Sequence, residues 1–416
     1  MSGRRIQSIN QIMSIAFAYV GILTGAGLAT GREMLQYFVS FGAIGLAGLA
    51  AITILHMLFA KWILSFGSYY QADHHMEALG AMSNPFVAKL LDWSLVFACL
   101  VMSFVLIAGA GANLHQQFAF IPAWLGSLVC ALAIIGVSYM DFNKVTAALG
   151  MFTPLILIML LIGLIYILAG DPINWSAQFA YASAVPTSLP NITLSTINYF
   201  ALCLMSSASM LFVLGGNIIG LDNAQKGGLL GGLLTGIVSS LASVILYAKI
   251  DQIAGADVPM LAFMTGIHPL LGLVMCVVIF GMIFNSGISV CYAMARRAAN
   301  GSQRRFHQVI IIIVTLAYIL SFVGFTDLVA FMYPVLGYVG MALLVTIAVA
   351  WLLNKRQINQ EKTVRNELYA IIAPYRNGKG DLSSRDKDKL SQLLSASVAN
   401  PQRIMQSIRQ FIHRED

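Results

Sequence analysis

Charge is scarce in this chain. Of its 416 residues only 10% are Asp, Glu, Lys or Arg, while 58% are hydrophobic and the mean hydropathy is +0.80. A soluble globular domain carries about 25% charged residues, so a water-soluble fold is excluded. Cysteine is also rare. The five present, Cys99, Cys130, Cys203, Cys276 and Cys291, all fall in apolar runs with no CxxC spacing. That excludes a disulfide framework and predicts small apolar packing residues. No His, Asp or Glu set has metal-ligand spacing, so neither a metal site nor a bound cofactor is expected. No nucleophile stands beside a base within an apolar run: the Asn285-Ser286-Gly287 stretch has no His partner and no paired aspartates occur there. An intramembrane enzyme is therefore not expected. The net charge of +7 comes without an aromatic-interleaved basic module, which argues against nucleic acid as a partner.

What is present is a series of long apolar runs. Residues 1–353 hold 22 charges, and residues 354–416 hold 19. An apolar body thus carries a basic tail. At roughly 20 residues per crossing of a 30 Å hydrocarbon core, the runs divide into ten spans. They lie at about 10–39, 42–66, 86–114, 122–140, 144–168, 192–218, 226–248, 269–296, 305–323 and 328–353. The runs do not alternate apolar with polar residues, which excludes a β-barrel. The expected fold class is an all-α integral membrane protein.

Orientation follows from Lys and Arg. Arg4, Arg5, Lys61, Lys89, Lys144, Lys226, Arg296, Arg297, Arg304 and Arg305 fall on one side with the basic tail, whereas the connections at 115–121, 169–191 and 324–327 have none. Only Lys249 edges the 249–268 connection. The bias places both termini in the cytoplasm, and a bacterial cytoplasmic (inner) membrane fits. The apolar stretch after Arg5 exceeds a signal-peptide core and lacks a cleavage site, so it is read as a retained first span.

The first span resists being one helix. It reads Tyr19-Val-Gly-Ile-Leu-Thr-Gly-Ala-Gly-Leu-Ala-Thr-Gly-Arg-Glu33, and each interior Gly costs about 1 kcal/mol of helix stability relative to Ala. Thr30 and Glu33 have the spacing of a capping box, which predicts a new helix starting after Thr30. One half-helix then ends near Leu23–Thr24 and a short extended segment follows. Irregular backbone at membrane depth is tolerated where it faces protein or a water-filled cavity. Half-helix amides suit an anion and freed carbonyls a cation. Gly25, Ala26, Gly27, Thr30 and Gly31 are accordingly candidate substrate contacts, and Thr24 and Gly27 candidate ion ligands. A Gly-rich face for close helix packing is the alternative. Arg32 and Glu33 are expected as a local ion pair and cap, with coupling or gating as their functional reading.

A second break is sought five spans later. Leu204-Met-Ser-Ser-Ala-Ser-Met210, followed by Gly215-Gly-Asn217, is the candidate; Ser206, Ser207 and Ser209 line a cavity or bond back along their own helix. In the eighth span Asn285, Ser286 and Ser289 share a face and could complete an oxygen shell for an ion, or bond between helices. Asn113, after the small-residue run Ala108-Gly-Ala-Gly-Ala112, is placed at an outer vestibule. His56 is a packing or cavity-lining residue with proton relay as its functional reading. Gly227, Gly231, Gly232 and Gly236 form a packing ridge.

The run Val20-Gly-Ile-Leu-Thr-Gly-Ala-Gly-Leu-Ala-Thr-Gly-Arg-Glu33 resembles the first span of YkvI-like bacterial membrane proteins, which carry a Gly-x-Gly-[Phe/Leu]-Ala-[Ser/Thr]-Gly-x-Glu pattern. That family looks like a branch of the amino acid–polyamine–organocation superfamily, with a LeuT-type five-plus-five inverted repeat. The resemblance implies repeats over about 10–168 and 192–353, discontinuous first and sixth helices, and secondary transport of a small solute such as an amino acid, related zwitterion or amine. It implies substrate between the first and sixth spans and an ion between the first and eighth. Sodium is the candidate coupling ion and protons the alternative, because Asn285-Ser286 departs from two adjacent hydroxyls. Spans 1, 2, 6 and 7 would rock against 3, 4, 8 and 9, with the 249–268 connection as a lid. A solute-sensing receptor signalling through the tail is the rival function. The tail itself, with Leu390, Leu393, Leu394 and Val398 and then Ile404, Ile408 and Ile412 at helical spacing, is expected to form short amphipathic helices on anionic lipid.

Overall fold

The computed structural model describes residues 9–140, 152–299, 302–372, 383–402 and 404–406. Arg4, Arg5, Lys144, Ile408 and Ile412 lie outside the described residues, as do the first eight positions of the fifth expected span.

All regular elements among the described residues are helical. The first span is split into α1 (Ile9–Leu23), α2 (Ala26–Thr30) and α3 (Arg32–Tyr37). A 3-10 segment at Val39–Ile44 leads into α4 (Gly45–Tyr70), and α5 (His75–Met82) connects to α6 (Pro85–Gln117) and α7 (Ala123–Val137). Then come α8 (Phe152–Ala169), α9 (Trp175–Ser183), α10 (Ile192–Gly216) and α11 (Leu221–Ala248). The short α12 (Ile250–Ile253) and α13 (Pro259–Ile267) precede α14 (Pro269–Ala299), α15 (Gln303–Leu320), α16 (Phe325–Ile372) and α17 (Ser384–Ala396). Eight of the described helical segments are long and apolar enough to cross a membrane. The two remaining expected spans fall on the interrupted α1–α3 and on α7, which is apolar but only 15 residues long.

Glycines set the closest contacts. Along α11, Gly227 and Gly231 sit on Ile15 and Tyr19 of α1, while Gly228, Gly232 and Gly236 sit on Ala60, His56 and Thr53 of α4. The fourfold spacing presents two smooth ridges, so α1, α4 and α11 meet backbone to backbone. The expected packing ridge is thus present and reaches two neighbours. A Cβ on Gly228 would lie 2.8 Å from the carbonyl carbon of Ala60. Gly228→Val is expected to cost about 1–3 kcal/mol by overpacking, measured as a lower unfolding midpoint in detergent. Gly80→Ala, where a Cβ meets nothing within 4 Å, serves as the neutral comparison.

Two expectations fail here. The sixth span is not broken: α10 runs uninterrupted from Ile192 to Gly216. Its serines relieve no helix break because Ser206 and Ser207 both donate to the Cys203 carbonyl, at 2.9 and 2.6 Å, the back-bonding that an α-helix accommodates. Residue 353 lies inside a helix. The helix α16 crosses that point and carries the tail back onto the bundle. Arg365, fully buried, donates from Nη1 to the Ser68 carbonyl (2.9 Å), from Nη2 to the Tyr69 carbonyl (3.0 Å) and from Nη1 to the Ile219 carbonyl (3.3 Å). It thereby supplies a donor to the Tyr69 carbonyl at the end of α4 and to the Ile219 carbonyl in the turn between α10 and α11, and a second donor to the Ser68 carbonyl, which also accepts from the Gln71 amide at 3.2 Å. Glu361 accepts from Arg365 Nε at 2.8 Å, from Ser397 Oγ at 2.6 Å and from the Val398 amide at 3.1 Å. Leu390, Leu393 and Leu394 pack against Ile219, Leu368, Tyr369, Ala399 and Ile404. The apolar stripe expected on lipid is instead covered by protein; Val398 alone of the four stays exposed.

Candidate functional site

The break in the first span is built from two glycines. At the end of α1 both the Thr24 amide and its hydroxyl turn back to the Val20 carbonyl, each at 2.7 Å. Gly25 then takes an extended conformation (φ −86°, ψ −174°) and Gly31 a left-handed one (φ 76°, ψ −6°). The second conformation is one that an L side chain adopts only with strain. The extended segment is shorter than expected, because Ala26, Leu28 and Ala29 are buried and coil into α2.

Thr30 does not cap the next helix. Its hydroxyl donates to the Gly27 carbonyl (2.8 Å) and accepts from the Arg32 amide (3.3 Å). Glu33, freed from the expected capping box, folds back over Gly27: a Cβ added there would overlap the carboxylate. Only a glycine leaves that space. The carboxylate is 9% exposed and accepts a hydrogen bond from Tyr199 of α10 at 3.1 Å. Tyr37, Tyr333 of α16 and Cys203 lie within electrostatic reach of it. The rings of Tyr37 and Phe38 pack on Tyr199 with centroids 5.0 and 5.3 Å away.

Arg32 and Glu33 do not form the expected pair. Successive helical positions face different ways, and Arg32 turns outward to donate to the Ala256 carbonyl at 3.2 Å, with Asp257 and Asp327 as its nearest opposite charges. The 249–268 connection lies on the break. Its α13 packs against α2 and α3, and Val258 exchanges two 2.9 Å hydrogen bonds with Gln116 at the end of α6.

The chain shares its architecture with solved LeuT-fold transporters. The chain superposes on MhsT in complex with L-phenylalanine with a TM-score of 0.57 at 13% identity, covering 99% of this chain and 97% of that one. The inward-facing conformation of Mhp1 gives 0.54 at 9% identity, over 97% and 91%. In sequence the chain is 27% identical to the membrane protein YkvI of Bacillus subtilis (strain 168) over 341 residues, 81% of this chain and 95% of YkvI. It is 25% identical to YyaD of the same organism over 337 residues, 81% and 96%. No family model matches. Its homologues are YkvI/YyaD-type membrane proteins, and its fold is the LeuT type.

The structure gathers some of the sequence-derived candidates and disperses others. Gly25, Ala26, Gly27, Thr30, Gly31 and Glu33 form one locus, with Thr24 at its edge. The α10 serines do not join it. Ser209 bonds His75 Nδ1 at 2.9 Å, and His75 Nε2 is 3.3 Å from Asp92, which Arg297 grips with both guanidinium nitrogens. Burial pushes His75 below its ordinary value, with Asp92 opposing. The Ser209–His75–Asp92 chain thus links α10, α5 and α6, with Arg297 of α14 at its far end. Asn113, expected at a vestibule, is fully buried and donates to the Cys276 carbonyl at 2.9 Å, tying α6 to α14. His56 is enclosed, with Tyr19 Oη 3.2 Å from its Nδ1 and Phe200 against its ring, so packing is the role its surroundings support.

In the eighth span α14 packs against α2. Ser289 donates to the Asn285 carbonyl at 2.8 Å, and Asn285 Oδ1 is a buried oxygen with no hydrogen-bond partner among the described residues. Sequence reasoning missed Tyr199, Tyr333 and Asn198. Asn198 accepts from Tyr37 (3.2 Å) and donates to the Pro334 carbonyl (2.9 Å). The available signal was a polar Asn198-Tyr199 pair in the first half of the sixth span, about two to three turns before the serines.

Proposed function

We propose that this chain is a secondary active transporter of a small solute, an amino acid or related zwitterion or amine, working by alternating access under a sodium or proton gradient. The observation that carries this is the interruption of the first span at Gly25 and Gly31 on a LeuT-type fold, with backbone and a carboxylate turned to the protein interior at membrane depth. A discontinuous helix leaves terminal peptide groups without intrahelical partners, and such groups serve as solute and ion contacts in transporters.

The substrate locus is Gly25, Ala26, Gly27, Thr30, Gly31 and Glu33, closed on the α10 side by Tyr199 and Cys203. Ten spans in a five-plus-five repeat would put both termini on one side, and the Lys and Arg bias supports the cytoplasmic side of a bacterial inner membrane. The moving unit is α1–α3, α4, α10 and α11, in which the α11 glycines join α1 to α4 and Gly67 of α4 sits on Phe212 and Gly215 of α10. It rocks against α6, α7, α14 and α15, and the 249–268 connection serves as the outer lid. Thr24, Gly27, Asn285, Ser286 and Ser289 would hold sodium, and the unpartnered Asn285 oxygen fits a cation ligand. Sodium there supplies positive charge beside the break and a gradient to work against.

The test is uptake into proteoliposomes across a panel of amino acids and amines, with an inward sodium gradient or a pH gradient imposed. Gradient-dependent accumulation of at least one solute is expected. A protein that is folded and correctly inserted yet moves nothing on the panel under either gradient would refute transport.

A further inference from the structure

Resting on that reading, we infer that Glu33 is the substrate's charge partner: the site takes an organic ammonium ion lacking a carboxylate, and it takes that ion in exchange for a proton. An ionised carboxylate buried away from water is costly unless a cation or several hydrogen bonds compensate it. Glu33 is 9% exposed, and among the described residues its carboxylate accepts one hydrogen bond, from the neutral Tyr199 hydroxyl. No Lys or Arg pairs with it among the described residues. The adjacent Arg32 donates from Nη1 to the Ala256 carbonyl and faces Asp257 and Asp327, while its buried Nε has no hydrogen-bond partner among the described residues.

The groups around Glu33 are neutral on every side. Tyr199 and Cys203 face it from α10 and Tyr333 from α16, while Tyr37 follows it on its own helix. Tyr247 of α11 is bonded to the Phe38 and Gly42 carbonyls. The packed α2, α13 and the Val39–Ile44 segment contain no titratable side chain. Such a carboxylate holds a proton or a cation, and one carboxylate cannot hold both.

Three observations point to an ammonium head. The carboxylate lies on Gly27, where a substrate's own carboxylate would meet like charge. Tyr37, Phe38, Tyr199 and Tyr333 supply aromatic faces, which favour organic cations. A Cβ on Gly25 would meet nothing within 4 Å, so the break leaves open space two residues from the glycine on which the carboxylate lies. The exchange balances: ammonium binds, the Glu33 proton leaves, and the charge of the site is unchanged.

The probes are matched sets: phenethylamine, L-phenylalanine and 3-phenylpropanoate, and isoamylamine with L-leucine. In nanodiscs the two amines are expected to raise the unfolding midpoint and release protons into weak buffer. Their affinity should rise about tenfold per pH unit while Glu33 is protonated, the slope for one displaced proton. Glu33→Gln is expected to abolish both signals, and Glu33→Asp to keep proton release with weaker binding. Equal or tighter binding of either amino acid over its amine, absence of amine binding, or retention of both signals in Glu33→Gln overturns the inference. Counterflow in proteoliposomes separates the two readings. Amine binding without flux leaves the ammonium site standing and sinks transport, whereas amino-acid flux without amine preference sinks the site and leaves transport standing.

Discussion

Arg365→Met is expected to lower the unfolding free energy by about 3–5 kcal/mol, the cost of stranding one member of a buried ion pair. The guanidinium is fully buried, and Glu361 is only 3% exposed. Removing the cation leaves a carboxylate held by Ser397 and the Val398 amide alone, strips the Tyr69 and Ile219 carbonyls of the guanidinium donor, and leaves the Ser68 carbonyl with the Gln71 amide only. Denaturant or thermal unfolding in detergent measures the loss. Arg365→Met combined with Glu361→Leu should recover much of it, since replacing both partners with apolar groups removes the desolvation cost as well. A single-variant loss below about 1 kcal/mol, within the range of an exposed ion pair, would show that the tail does not dock in this way. Lys362 and Asn366, both bonded to Asp222 at the start of α11, would hold less, because Lys362 is partly exposed and its pair is screened.

Gly27→Ala carries the second large effect, this time on transport. The new methyl group would occupy the space of the Glu33 carboxylate, so the side chain must swing away and give up its bond from Tyr199. Substrate flux is expected to fall at least tenfold, roughly 1.4 kcal/mol in the governing equilibrium. Gly21→Ala, six residues away in α1 and outside the substrate locus, meets nothing within 4 Å, so its flux should stay within about twofold of wild type. Equal damage from the two substitutions would mean that backbone flexibility, rather than room for the carboxylate, is what the glycines provide.

Gly27 and Glu33 also show where sequence reasoning reaches and where it stops. Helix cost accumulates locally, so Gly25, Gly27 and Gly31 within seven residues announce an interruption whatever surrounds them. A Thr and a Glu three residues apart have the spacing of a capping box, but spacing says nothing of competitors. The hydroxyl of Tyr199, 166 positions away, takes the carboxylate that a local cap would have used. The sixth span fails for the complementary reason. Ser206 and Ser207 raise no obstacle to a helix once their hydroxyls bond the Cys203 carbonyl, and whether they do so depends on what faces them.

Composition and periodicity by themselves determined that the chain is a multi-span helical membrane protein, that its first span is interrupted between Leu23 and Arg32, and that the α11 glycines pack. Each of these rests on hydrophobicity or backbone cost summed over neighbouring residues. The partners were decided only in three dimensions: Glu33 with Tyr199, Asn113 with Cys276, Arg365 with the ends of α4 and the 218–220 turn. A side-chain hydrogen bond in an apolar interior goes to whichever acceptor or donor the packing brings within about 3 Å, and no span of sequence encodes that distance.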